Sequence, residues 1–218
     1  MRKLLFLIVP ISFLLILSSC ISPPPEPDKS VIINKTADLT IKLVPISQEE
    51  LIKRHGSNKD YYQNPFYKYP SQLPPRRIVV FNAQFSTEQS CILFSLKKIK
   101  LKIDDNSGKA TSIDYLLRLW DGYKDDLGWG RLEATCRKYM LPTEFKVTPD
   151  KPVSGYLVFA NNYPKEGGEG LLTLEVSTDS GDAGTIEIPI NFTEDGVKAQ
   201  PKEKNTGIFA EQNSEDNN

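Results

Sequence analysis

Catalysis by a nucleophile and a base has one histidine to work with in this chain, so any Ser/His/Asp or Cys/His arrangement would have to use His55. That residue closes a short helical pattern, where a cation near the C-terminus is electrostatically favourable, and it reads as a surface or capping histidine. Carboxylates offer a second chemistry. Asp121, Asp125 and Asp126 cluster in a Trp- and Gly-rich stretch, and glycoside hydrolysis needs two acids and no histidine. Metal sites are poorly served. In Asp104-Asp105-Asn106-Ser107-Gly108 the glycine falls one place early for a calcium loop, and the twelfth position is Tyr115 instead of Glu, so a hairpin turn explains the run. No Cys/His spacing suits zinc, and Gly167-Gly168-Glu169-Gly170 lacks the Lys-Ser/Thr of a phosphate loop. The sequence therefore predicts no catalytic set, no metal and no cofactor.

Cys91 and Cys136 present sulfur chemistry of two kinds. In an oxidising compartment they are a disulfide candidate, closing a loop of about 45 residues for about 4 kcal/mol in the chain-entropy model. The alternative is two buried free thiols. The third cysteine, Cys20, has a different context. Arg2 and Lys3 precede an apolar run from Leu4 to Leu17 that breaks at Ser18-Ser19-Cys20, as in an export signal. At ~1.5 Å per residue the run spans roughly 21 Å, short of the ~30 Å hydrocarbon core, and Pro10 interrupts it. Leu17-Ser18-Ser19-Cys20 resembles a bacterial lipobox. The resemblance implies cleavage before Cys20, acylation of that residue and a lasting membrane anchor, since two or more chains at about 0.8 kcal/mol per buried CH₂ hold durably. Ile21 and Ser22 stand where an inner-membrane retention signal would place Asp, so the outer membrane is favoured in a two-membrane cell.

Loss of Met1–Ser19 leaves 199 of 218 residues and moves Lys+Arg against Asp+Glu from 27 and 28 to 25 and 28, a formal charge of −3. That balance is too weak to suggest nucleic-acid binding. Residues 20–37, with Pro23, Pro24, Pro25 and Pro27, read as lipidated cysteine and extended spacer, and 193–218 as a polar disordered tail. Residues 38–192 hold the periodic pattern and suit one domain.

Within that span strand signals dominate: Asp38–Val44, Ile78–Phe85, Cys91–Leu96, Lys98–Asp104, Glu144–Thr148, Val153–Ala160, Leu171–Ser177 and Thr185–Phe192. Ile99, Leu101 and Ile103 alternate with Lys98, Lys100 and Lys102, putting apolar groups on one face and cations in water. Pro189 points to an edge or bulge. Turn residues at 105–108, 165–168 and 179–182 separate the strands. Eight short strands so spaced argue for an antiparallel two-sheet sandwich. Helical signals interrupt it twice. Ser47-Gln48-Glu49-Glu50 forms a capping box before Leu51 and Ile52, with Gly56 as stop, predicting a helix over 48–55. Ile113, Leu116, Leu117 and Trp120 follow at helical spacing with Thr111-x-x-Asp114 as cap, and Arg131–Met140 sets Leu132 and Cys136 on one side, so 111–141 reads as a helical insertion.

The strand bearing Asn82, then Ile99-x-Leu101 before Asp104-Asp105-Asn106-Ser107-Gly108, and Val147-x-Pro149 before Gly155-Tyr156-Leu157-Val158-Phe159, resemble immunoglobulin-like domains of bacterial envelope lipoproteins. The resemblance implies a sandwich with an envelope role and supplies no catalytic residues. Two aromatic clusters are the candidate contacts for an envelope protein or glycan. Tyr61, Tyr62, Phe66, Tyr67 and Tyr69 combine apolar area with hydroxyls, and Trp120, Tyr123 and Trp129 stand among acids and glycines suited to a glycan or a basic peptide. Against this, a loop covering the sandwich and tryptophans stapling the insertion to the core would need the same residue types.

Overall fold

A computed structural model of the chain describes residues 32–36, 38–56, 64–66, 77–120, 126–161, 163, 167–193 and 196–199. The strands are β1 (Ile32–Lys35), β2 (Leu39–Ile46), β3 (Arg77–Thr87), β4 (Ile92–Ile103), β5 (Asn106–Lys109), β6 (Glu144–Val147), β7 (Val153–Asn161), β8 (Gly167–Thr178), β9 (Ala183–Thr193) and β10 (Gly196–Ala199). The helices are α1 (Gln48–His55), α2 (Ile113–Leu119) and α3 (Asp126–Tyr139). One sheet runs β1-β2-β3-β7 and the other β10-β9-β8-β4-β5, with β6 beside β4, and every paired strand is antiparallel to its neighbour. This is the expected mainly-β, two-sheet sandwich.

Period-two alternation builds the space between the sheets. Leu39, Ile41 and Leu43 of β2, Phe81 and Phe85 of β3, and Leu157 and Phe159 of β7 meet Ile99, Leu101 and Ile103 of β4, Leu172 and Leu174 of β8, and Ile186, Ile188 and Ile190 of β9. Burial of each such side chain contributes roughly 1.5–3 kcal/mol. A second cluster lies on the other face of the first sheet. Ile78, Val80, Tyr156 and Val158 are covered there by Leu51 of α1, Leu116, Leu117 and Trp120 around α2, and Leu132 and Cys136 of α3. The order is therefore helices, four-stranded sheet, then the larger sheet, whose outer face carries Lys100 and Glu175 in an ion pair of 3.1 Å.

The helix starts follow local chemistry. Ser47 caps α1 by accepting from the N–H of Glu50 at 3.1 Å, and Gly56 ends the helix at φ 87°, a conformation that disfavours side chains. Glu50 turns forward to Arg54 at 2.8 Å. For α2 the cap is Ser112, which accepts from the N–H of Tyr115 at 3.3 Å, and not Thr111 as the sequence suggested. Thr111 is buried and serves the edge of β7: its N–H donates to Val158 O at 2.7 Å, and its hydroxyl accepts from the N–H of Ala160 at 3.0 Å. Leu141 donates to Tyr156 O at 3.1 Å, so β7 does not end the sheet as a bare edge.

Three strands correct the expected boundaries. β1 falls inside the stretch read as spacer, β10 inside the stretch read as tail, and β5 begins within the run read wholly as a turn, which is Asp104-Asp105 alone. The signal, the prolines of the spacer and residues 200–218 lie outside the described residues. Pro189 lies within β9 opposite Leu171 of β8, and the described pairing of β9 with β10 runs to Ile190.

Candidate functional site

The first aromatic cluster is anchored by Asn64-Pro65-Phe66. Asn64 is buried, and its amide donates to Leu51 O within α1 at 3.0 Å and to Gly56 O just past its end at 2.9 Å, tying the segment to the helix. Its own oxygen accepts from the N–H of Phe66 at 3.0 Å. Phe66 then lies edge-on to His55, ring centroids 5.3 Å apart, and to Tyr156 at 5.2 Å. Trp120 closes the set from the α2 side, its indole N–H donating to Pro65 O at 3.2 Å. Phe66 and Trp120 are both 0% exposed, so neither is a contact for a ligand or partner. They staple the helices to the sheet, the alternative that the sequence left open. Trp129 is half-buried and packs against the same cluster. Tyr61, Tyr62, Tyr67, Tyr69, Tyr123, Asp121 and Asp125 lie outside the described residues, as does the side chain of Asp126.

His55 is drawn into this packing instead of standing on the surface. It meets Tyr139 at 4.7 Å between ring centroids and comes within 3.2 Å of the Tyr156 hydroxyl, to which Arg54 also donates at 3.3 Å. Burial, with the charges of Arg54 and Lys138, holds its pKa below the ordinary 6.5.

The cysteines do not form a bridge. Both are free thiols on different parts of the sandwich: Cys136 is buried under α3 on the outer face of the first sheet, whereas Cys91 sits at the start of β4 near Asp179 and Lys146. Burial pushes the Cys136 thiol up to about 12, with the Glu133 charge adding to it. Desolvation and then Asp179 raise Cys91 as well, so both sulfurs stay protonated at neutral pH and neither is poised as a nucleophile.

A more open geometry occurs at the opposite end of the sandwich. Asp38, just before β2, grips the β3–β4 turn by accepting from the N–H groups of Glu88 at 3.0 Å, Gln89 at 2.6 Å and Ser90 at 2.8 Å. Burial works to raise its pKa, but the Ser90 hydroxyl, the N–H groups of Gln89 and Ser90, and Thr87 outweigh that and hold it at about 2. Beside it the β8–β9 turn is tied by Ser180 donating to Asp182 at 2.6 Å and by Asp182 N–H donating to the Thr178 hydroxyl at 3.1 Å. Lys146 of β6 pairs with Asp179 at 2.7 Å. Between β6 and the middle of β4 lies an open groove of about 600 Å³ lined by Leu93, Lys97, Lys98, Glu144, Lys146 and Ser177, among others.

That groove exists because β4 changes phase. Phe94 pairs with Val176 and Ile99 with Leu174, so Ser95, Leu96, Lys97 and Lys98 oppose Glu175 alone. Leu96 still turns inward, and Lys97 and Lys98 both face solvent. Sequence reasoning drew no site here, although the switch from inward Phe94 and Leu96 to inward Ile99 and Leu101 was its available signal. Among the described residues no group of three or more His, Cys, Asp or Glu is placed to hold a metal ion, and no helix is long and apolar enough to cross a membrane. No protein-family model matches the chain, and no curated protein matches it.

Proposed function

We propose that this chain is a lipid-anchored bacterial envelope protein, tethered through Cys20, whose immunoglobulin-like sandwich has a non-enzymatic role in binding or assembly. The observation that carries the reading is the order of parts: Leu17-Ser18-Ser19-Cys20, a proline-rich stretch, then an antiparallel two-sheet sandwich with its tied turns gathered at one end. The segment following Cys20 joins the sandwich at Ile32, opposite Leu43, and β2 runs on from there to Ile46, which faces Val80 near the start of β3. The gripped β3–β4 turn, the tied β8–β9 turn and the groove gather toward the other end. In register, Ile32 lies level with Ala83, four residues or about 13 Å along the strands from Thr87 at that end. An anchored chain would thus present tied turns at one end of the sandwich to another envelope component, with the outer membrane as the favoured address.

Envelope fractionation after growth with labelled palmitate tests the anchor. The wild type takes up label and sediments with membranes, whereas Cys20→Ser does neither; a Cys20→Ser product that is still labelled and membrane-bound refutes the reading. A photo-crosslinker at Ser180 tests the binding role by capturing an envelope component that the same group at Gln48, at the opposite end of the sandwich beside Ile78, does not.

A further inference from the structure

We infer that the groove between β6 and the bulged middle of β4 binds an acidic, apolar-containing peptide segment of a partner protein; this deepens the binding role proposed above and rests on it. Three features select that chemistry. The first is charge. Among the described residues Lys97 and Lys98 make no ion pair, Lys146 is held by Asp179, and Glu144 is the one carboxylate that lines the groove. The groove is therefore net cationic on a chain whose formal charge is −1, and a negative partner is steered to it.

The second is apolar surface at the same place. Leu93 is 37% exposed, on a strand whose inward neighbour Phe94 is stacked on Phe145 at 5.0 Å between centroids and 6° between planes. Phe94 and Phe145 are themselves 3% and 8% exposed, so no open aromatic face is offered for sugar stacking, and Leu93 provides an aliphatic contact instead. The third is a rigid floor. The groove lies on the outer face of the larger sheet, over the Phe94–Phe145 stack. Beneath it, the Phe94–Phe145 stack is backed by Phe85 at 4.8 and 5.3 Å, so the floor is rigid and little ordering is required on binding.

The test uses the full mature protein purified in detergent and a fluorescein-labelled peptide of alternating glutamate and leucine, followed by anisotropy. Binding that weakens steeply with salt, falls at least tenfold in Lys97→Glu/Lys98→Glu, tightens in Glu144→Gln and is absent for a lysine/leucine peptide supports the groove. Thermal unfolding of each variant checks that the solvent-facing substitutions leave the fold intact. Equal binding by wild type and the double variant, or no binding at any salt concentration, overturns the assignment. So does preferential capture by phosphatidylglycerol vesicles that the double variant loses, since the site would then recognise lipid. Palmitate labelling separates the two claims: a labelled protein that ignores the peptide removes the groove alone, and an unlabelled protein that binds it removes the anchor alone.

Discussion

Asp38→Ala is the sharpest probe of how the end of the sandwich at the β3–β4 turn is held together. One carboxylate accepts three backbone N–H groups at 2.6–3.0 Å, fixing residues 88–90 between β3 and β4. Bonds to a charged acceptor are worth about 1.5–3 kcal/mol each when buried, but this carboxylate is partly open and water replaces much of the loss. We expect about 2–3 kcal/mol of destabilisation at pH 7, or about 5–10 °C in Tm for a domain of this size. The sign with pH follows from the carboxyl's folded value of about 2 against its ordinary 3.8. Its contribution is present above 3.8 and is lost as pH falls toward 2. Discounted for solvent screening, that pH-dependent part is about 1 kcal/mol. Urea unfolding of wild type, Asp38→Ala and Asp38→Asn at pH 7 and at pH 2.5 reads both effects. The gap between wild type and variants is wide at pH 7 and narrows in acid. Variants within about 0.5 kcal/mol of wild type at pH 7, or a gap that does not shrink in acid, would refute the reasoning.

Three further outcomes follow from the packing. Trp120→Ala costs about 3–5 kcal/mol by emptying the centre of the outer cluster, whereas Trp120→Phe costs about 1–3 by leaving Pro65 O without its donor; chemical denaturation ranks the two. His55, with its pKa below 6.5, favours the fold while neutral, so stability drops as pH falls from 6.5 through the folded value. His55→Gln should show a shallower fall between pH 7.5 and 5 than wild type, and equal slopes would count against the buried placement. Thiol labelling without reductant should modify Cys91 in the native mature protein and Cys136 only after unfolding; a sulfur that stays unreactive in denaturant would restore the disulfide.

Much of the sandwich was legible because alternation is a direct print of two-sided burial. Ile99, Leu101 and Ile103 are each 0% exposed, as their spacing required, and α1 starts and stops where Ser47 and Gly56 said it would. Of the four-residue strands, β6 was legible from its alternating Phe145 and Val147, but the other three carry too little pattern. β1 follows a proline-rich stretch, β5 is Asn-Ser-Gly-Lys, and β10 lies in polar sequence, so all three are strands through pairing with β2, β4 and β9 rather than through their own composition. The site was harder still. Phe66 and Trp120 carried the residue types of an interface, and only tertiary packing reveals that they face inward. Cys91 and Cys136 met every sequence condition for a bridge except position, which one-dimensional spacing does not encode. The groove arises from a phase slip between Phe94 and Ile99, visible as two strand signals that proved to be one bulged strand.

Mass spectrometry of the N-terminal tryptic peptide of the protein isolated from envelopes tests the anchoring most directly. A peptide beginning at Cys20, ending at Lys29 and carrying the added mass of fatty acyl chains is the expected result. A peptide with unmodified Cys20, or one that still carries Leu4–Ser19 ahead of it, would contradict the proposed tether.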